Sequence, residues 1–196
     1  MIGVVLAGGA GRRLGGPKAA LVLDGRALLA YPLAALRGAL GPGARLAVVA
    51  KQDTPLPVLQ DGAERWIEPD EPRHPLCGLR EALRRAGEQD LLVCPVDLPL
   101  LGAEELAALL AAACPQAPVA VASVDGRLQP LCGVWRQAAR EVVERFPADG
   151  SLHELVGALG AQAIERPDPA PYLNVNRAED LERAIAVLRA QPKVNE

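Results

Sequence analysis

The chain has 196 residues, 21 basic against 24 acidic, with half of its residues hydrophobic and only 3% aromatic. That length suits one domain, and the slightly acidic balance argues against a nucleic-acid polymer as partner, which calls for a basic surface. No apolar run approaches the ~20 residues that span a bilayer, and Met1 leads into residues 2–7 without the basic stretch of a signal peptide.

Residues 2–7 (IGVVLA) form a short apolar run ending in glycines, the pattern of a buried strand. Residues 8–18 are a glycine-rich loop carrying Arg12, Arg13 and Lys18. A helix is predicted over 27–40, a strand over 45–50 and a short strand over 65–67. A helix follows over 78–86, then the clearest central strand, 90–95 (DLLVCP), which delivers Asp97 just past its carboxyl end. Further on come a helix at 104–113, strands at 118–122 and 129–135, a helix at 137–145 and a weak strand at 161–165. The closing amphipathic helix at 178–189 places Leu181, Ile185 and Leu188 on one face. Alternating strands and helices predict an α/β fold: a single Rossmann-like three-layer domain with a mostly parallel sheet, spanning residues 1–190, with a flexible tail at 191–196.

Cys77, Cys94, Cys114 and Cys132 are widely spaced, so no zinc site is expected; buried free thiols in a reducing compartment, the cytoplasm, are. Trp66 and Trp135 read as core or rim packing, and His74 and His153 as exposed or packed side chains rather than nucleophiles.

In open α/β sheets ligands bind beyond the carboxyl ends of the strands, where both the loop 8–18 and Asp97 fall. Glycines let the backbone approach a ligand and turn several N–H groups toward it, a nest that attracts phosphate oxygens. Three cations in the same loop add charge suited to a triphosphate. The loop lacks the Gly-Lys-Ser/Thr of a Walker A motif, and Leu14 stands where a dinucleotide fingerprint needs glycine.

Leu6-Ala7-Gly8-Gly9 with the downstream arginines, Gly16 and Lys18 resembles the signature of the molybdenum cofactor guanylyltransferase family, among the small Rossmann-like nucleotidyltransferases. Pro75-Leu76-Cys77-Gly78, Pro95-Val96-Asp97-Leu98-Pro99 and the carboxyl-terminal Asn174-Val175-Asn176 with Glu179-Asp180-Leu181 resemble further family stretches in the same order, so the similarity spans nearly the whole chain. The resemblance implies transfer of GMP from GTP to the terminal phosphate of molybdopterin with release of pyrophosphate. It implies Mg²⁺ held by Asp97, in keeping with that metal's use of one or two carboxylates plus substrate phosphates and water. Lys18, with Arg13 sharing the work, would neutralise the departing charge. Leu6, Ala7, Gly8 and Gly9 would contact base and sugar, and Asp70 is the candidate second nucleotide-contacting acid, with Glu68 competing. Gln129, Pro130, Asn174 and Asn176 are acceptor-side candidates, and the implied protein partners are molybdoenzymes or other cofactor-biosynthesis proteins.

Three positions depart from the family pattern. Pro17 stands where Asp often precedes the loop lysine, Gln129 where His often precedes the proline, and Ala50-Lys51-Gln52 where the loop often offers asparagine. They leave two alternatives open: a nucleotidyltransferase using CTP or another phosphorylated acceptor, and a non-catalytic nucleotide-binding protein.

Overall fold

The computed structural model describes residues 1–8, 14, 16–60 and 62–190. Gly9, Arg12 and Arg13 of the loop, and the tail at 191–196, lie outside the described residues.

Strand β1 (Ile2–Leu6) is buried over its whole length, as a central parallel strand covered on both faces must be. Residues 2, 4 and 6 alternate with residue 5 between two core clusters. Next comes a feature that lies almost wholly before the helix expected from residue 27, in a stretch for which no element is predicted. Val22–Leu23 (β2) and Arg26–Ala27 (β3) form a small antiparallel ribbon across Asp24-Gly25, whose φ angles are 44° and 83°. Asp-Gly is the favoured pair for a two-residue hairpin turn with both residues left-handed. Helix α1 (Ala30–Leu40) therefore starts three residues later than expected.

Strands β4 (Arg45–Ala50) and β5 (Glu64–Ile67) follow. Helix α2 (Pro75–Ala86) begins before the expected residue 78, because Pro75 takes the first helical position and His74 caps it, its Nδ1 accepting the Leu76 N–H at 3.3 Å. Strand β6 (Leu91–Pro95) and helix α3 (Ala103–Ala112) match the sequence reading closely. Strands β7 (Val119–Val124) and β8 (Arg127–Trp135) are joined by a second tight turn, Asp125-Gly126, with φ angles of 49° and 71°. The expected helix 137–145 divides into a 3₁₀ turn, Gln137–Ala139, and helix α4 (Arg140–Arg145). Helix α5 (Leu152–Ala158) was not foreseen, although Ser151-Leu152-His153-Glu154 forms a capping box: the Ser151 hydroxyl accepts from the Glu154 N–H and the Glu154 carboxylate from the Ser151 N–H. Strand β9 (Gln162–Glu165) and helix α6 (Ala178–Ala190) close the described chain.

The seven-stranded sheet runs β5-β4-β1-β6-β8-β7-β9. The pairs from β5 through β6 are parallel, β8 is antiparallel to both its neighbours, and β9 runs parallel to β7. Residues of α1 and α3 (Leu36, Leu106, Leu109) pack into one core; residues of α2, α4 and α5 (Leu79, Val143, Leu155) pack into the other. This is the three-layer, mostly parallel α/β architecture expected from the sequence. A third cluster joins α6 to the β2–β3 ribbon through Ala184, Leu23 and Leu28.

Trp66 and Trp135 are both core residues, with indole N–H groups donated to Glu64 Oε2 and the Pro130 carbonyl. Cys77, Cys94 and Cys132 are buried free thiols, and burial pushes Cys94 and Cys132 up, Cys132 to about 12. Cys114 departs from the expectation. It is exposed, because it follows the carboxyl end of α3, where its N–H is given to Gln162 Oε1.

One polar cluster ties α3 to the later chain. Arg166 makes two bonds to the Glu105 carboxylate, at 2.6 and 2.7 Å, and the Tyr172 hydroxyl adds a third at 2.8 Å. The Arg166 guanidinium, opposed by desolvation and aided by Tyr172, holds the Glu105 carboxyl below its ordinary value of 4.5. A carboxyl whose pKa is lowered by folding contributes stability that is present above about 4.5 and lost as pH falls through the lowered value. Glu105→Gln is therefore expected to cost about 1.5–3 kcal/mol at neutral pH, the range for hydrogen bonds to charged groups, and to flatten the acid limb of stability against pH. Denaturant titrations from pH 3 to 7 measure both.

Candidate active site

The carboxyl ends of β1, β4, β5 and β6 converge on one cavity of about 750 Å³. The ladder continues past the strand ends: Val96 donates to the Leu6 carbonyl, Ala7 to Val49 and Glu68 to Ala50. These bonds fix the backbone that carries Gly8, Lys51, Glu68 and Asp97, all of which line the cavity.

Lys18 opens a 3₁₀ turn (Lys18–Ala20) after Pro17. Its ammonium donates to Asp97 Oδ2 at 2.7 Å and to Asn176 Oδ1 at 2.5 Å, and both members of the ion pair are largely buried. Asp97 is held from a second side, since its carbonyl accepts the Val175 N–H at 2.9 Å. Asn176 donates its amide to Asn174 Oδ1. Asp180, in the first turn of α6, accepts the N–H groups of Asn176 and Arg177, and the Asn176 bond leads the contacts that hold its carboxyl low. The carboxyl-terminal Asn-x-Asn segment is thus stitched onto the strand end that carries Asp97.

At the other end of the cavity, the Lys51 and Glu68 side chains are 8% and 5% exposed, with Nζ and Oε1 3.8 Å apart. Burial raises the Glu68 carboxyl, and the Lys51 charge only partly offsets this. A Cβ at Gly8 would lie 2.4 Å from Glu68 Oε1, and one at Gly78 would lie 2.8 Å from Oε2. A side chain at either place would have to displace the Glu68 carboxylate.

A second cavity of about 360 Å³ adjoins the first, lined by Gln129, Pro130, Ser151, His153 and Asn174. His74, Pro95, Asp97 and Leu131 line both cavities. Asp97 therefore borders both cavities, with the Lys18 ammonium beside it.

Of the sequence candidates, Leu6, Gly8, Lys18 and Asp97 are brought together on the main cavity, and Ala7 is buried in its wall with its N–H committed to Val49. Asp70 is exposed and away from the lining, whereas Glu68 lines it. The reason is local: residue 68 still follows the β5 ladder, and beyond Pro69 the chain leaves the sheet edge. Gln129, Pro130 and Asn174 line the second cavity, and Asn176 faces Lys18. Gly9 and Arg13 lie outside the described residues. The sequence reading did not assign Lys51 or His74 to the site. The available signals were a charged residue directly after an apolar strand, for Lys51, and a capping residue before an N-terminal helical proline, for His74.

A phosphate-suited loop after the first strand, a carboxylate–lysine pair at the central strand end and paired cavities define a nucleotidyltransferase-type site on a Rossmann-like sheet. The family model described as MobA-like NTP transferase domain matches residues 3–163. The chain is 36% identical over 202 residues to the molybdenum cofactor guanylyltransferase of Cereibacter sphaeroides, covering 96% of this chain and 97% of that one. It is also 36% identical to the enzyme of the same name from Acidiphilium cryptum, covering 93% of each. Among solved structures, molybdopterin-guanine dinucleotide biosynthesis protein A from Archaeoglobus fulgidus superposes with a TM-score of 0.75 at 20% identity, over 97% of this chain and all of that one. The 2-C-methyl-D-erythritol 4-phosphate cytidylyltransferase of Thermus thermophilus superposes with a TM-score of 0.71 at 23% identity, over 95% of this chain and 98% of that one, so the fold is shared with enzymes of another base preference. The chain belongs to the MobA-like NTP transferase family.

Gly78→Ala tests the packing of the cavity wall. Overfilling a close-packed site costs about 1–3 kcal/mol, and the atoms that must yield are those of the Glu68 carboxylate. The expected outcome is a folded protein with at least about tenfold weaker triphosphate binding, measured by calorimetry beside a melting curve.

Proposed function

We propose that this protein transfers GMP from GTP to the terminal phosphate of molybdopterin, releasing pyrophosphate and forming the guanine dinucleotide cofactor. The observation that carries the proposal is the position of Asp97, paired with Lys18 and shared by the two adjoining cavities. The larger cavity takes the nucleotide and the smaller the pterin, so that the acceptor phosphate meets the α-phosphate beside Asp97. The 36%-identical relatives of nearly equal length are named for this reaction. Residues 1–190 act as the transferase domain, in the cytoplasm, and the product passes to molybdoenzymes or other cofactor-biosynthesis proteins.

The acceptor phosphate is already ionised and attacks the α-phosphorus directly. The new P–O bond forms as the bond to the β-phosphate oxygen breaks, and the electron pair leaves with pyrophosphate. No covalent enzyme intermediate is required. Catalysis consists of in-line positioning and neutralisation of charge. Lys18, held by Asn176 on one side, lends its ammonium to the phosphate oxygens as negative charge shifts onto the leaving group. The Asn174–Asn176 segment fixes that lysine and borders the acceptor cavity at Asn174. Arg13 would add charge from the glycine-rich loop.

The donor set fits Mg²⁺. Asp97 offers one strand-end carboxylate whose Oδ1 has no hydrogen-bond partner among the described residues. Among those residues no cluster of three or more acidic, histidine or cysteine side chains could hold a metal. Magnesium is suited to one carboxylate with substrate phosphates and waters. When bound there it would supply charge neutralisation on the phosphates.

Pyrophosphate release should require GTP and molybdopterin together. Lys18→Ala and Asp97→Asn should each lower turnover by about 10²–10³, the usual effect of deleting one preorganised electrostatic contact. Release with CTP in place of GTP would transfer the mechanism to a cytidylyltransferase, and no release with any nucleotide would leave a binding role.

A further inference from the structure

We propose that His74 holds the acceptor phosphate through its Nε2–H and so positions it for attack. The proposal rests on the reading of molybdopterin as acceptor and deepens it. Four residues line both cavities: His74, Pro95, Asp97 and Leu131. Pro95 and Leu131 carry no polar side-chain group. Asp97 is a carboxylate, which accepts hydrogen bonds and repels a phosphate. His74 is therefore, among the described residues, the shared side chain able to donate to an anion that reaches from one cavity into the other.

The donor is fixed in place and in tautomer. His74 N–H is given to the Pro72 carbonyl at 2.9 Å, and the His74 carbonyl accepts the Cys77 N–H at 3.0 Å. The ring is tied down as well, because Nδ1 caps α2 by accepting the Leu76 N–H. A ring nitrogen that accepts carries no proton, so the proton of the neutral imidazole sits on Nε2. Nε2 has no hydrogen-bond partner among the described residues, and the side chain is half-buried on the shared wall.

The acceptor side needs such a donor. No lysine or arginine among the described residues lines the smaller cavity, whereas Lys18 lines the larger. Other donors of the smaller cavity are already engaged. The Ser151 hydroxyl donates to Glu154 Oε2 at 2.9 Å, and Gln129 Nε2 and His153 Nε2 face the Arg127 and Leu128 carbonyls. Asn174 lines the smaller cavity and not the larger. A phosphate anchored in the smaller cavity and approaching Asp97 thus finds its hydrogen bond at His74. The imidazole keeps its proton throughout; its contribution is the in-line placement of the attacking oxygen.

Two substitutions separate the cap from the contact. In His74→Asn the side-chain oxygen can still cap α2, Asn being a favoured capping residue, but the side chain stops short of the Nε2 position. In His74→Gln the amide nitrogen comes close to that position. Steady-state transfer of GMP to molybdopterin is measured for each, with the GTP dissociation constant by calorimetry and a melting curve. His74→Asn should raise the KM for molybdopterin about tenfold or more, the effect of losing one hydrogen bond to a charged group, with the GTP dissociation constant unchanged. His74→Gln should recover most of that loss. An unchanged KM in His74→Asn, or a weakening of GTP in place of the KM effect, overturns the proposal and leaves the donor and acceptor assignments standing. A readout on the unaltered imidazole needs no variant of His74 to fold: long-range ¹H–¹⁵N spectra, with the two histidines told apart by His153→Gln, should show His74 protonated at Nε2 and its Nε2 signal moving when molybdopterin is added. Protonation at Nδ1, or an Nε2 signal that does not move, overturns the proposal. No product from the unaltered protein with GTP and molybdopterin overturns both the acceptor reading and this one.

Discussion

The ion pair between Lys18 and Asp97 is the contact around which the site is arranged. Lys18 belongs to the segment after the first strand and Asp97 to the end of β6, 79 residues later. They meet because β1 and β6 are parallel neighbours whose carboxyl ends lie at the same level. The right-handed crossover of parallel strands brings such ends together on one side of a sheet. The carboxyl-terminal segment then closes on the pair, with Asn176 on the lysine and Val175 on the Asp97 backbone. Three distant parts of the chain are joined at one charged contact, beside the wall that the two adjoining cavities share at Pro95 and Asp97.

The glycine-rich start and the buried Glu68 express a second constraint, that of space. Gly8 and Gly78 leave room for a carboxylate, not merely for a turn. That space lets the cavity carry a charge deep in its wall near Lys51. The cavity thus carries two charged pairs, Lys18 with Asp97 after β1 and β6, and Lys51 with Glu68 after β4 and β5.

Much of this was legible in the sequence. The central strands at 2–7, 45–50 and 90–95 were readable because they are short apolar runs bounded by polar turns. Placing Lys18 and Asp97 together needed only the rule that ligands bind at strand ends. What escaped was set by local turn chemistry or by burial. The β2–β3 ribbon depends on two left-handed residues, Asp24 and Gly25, and its strands of two residues each are too short to show a periodicity. Helix α5 depends on the Ser151–Glu154 capping box, in a segment too short for a periodicity signal. The choice between Glu68 and Asp70 could not be made from residue type, since both are acids; only the point where the chain leaves the sheet edge separates the buried one from the exposed one.

The most direct measurement is the fate of phosphorus label. In the proposed reaction the acceptor phosphate attacks the α-phosphorus beside Asp97. GTP labelled at the α-phosphate, incubated with the protein, Mg²⁺ and molybdopterin, should carry its label into the pterin product, while γ-label appears in pyrophosphate. Label from the γ-phosphate in the pterin, or α-label recovered only as free GMP, would contradict it.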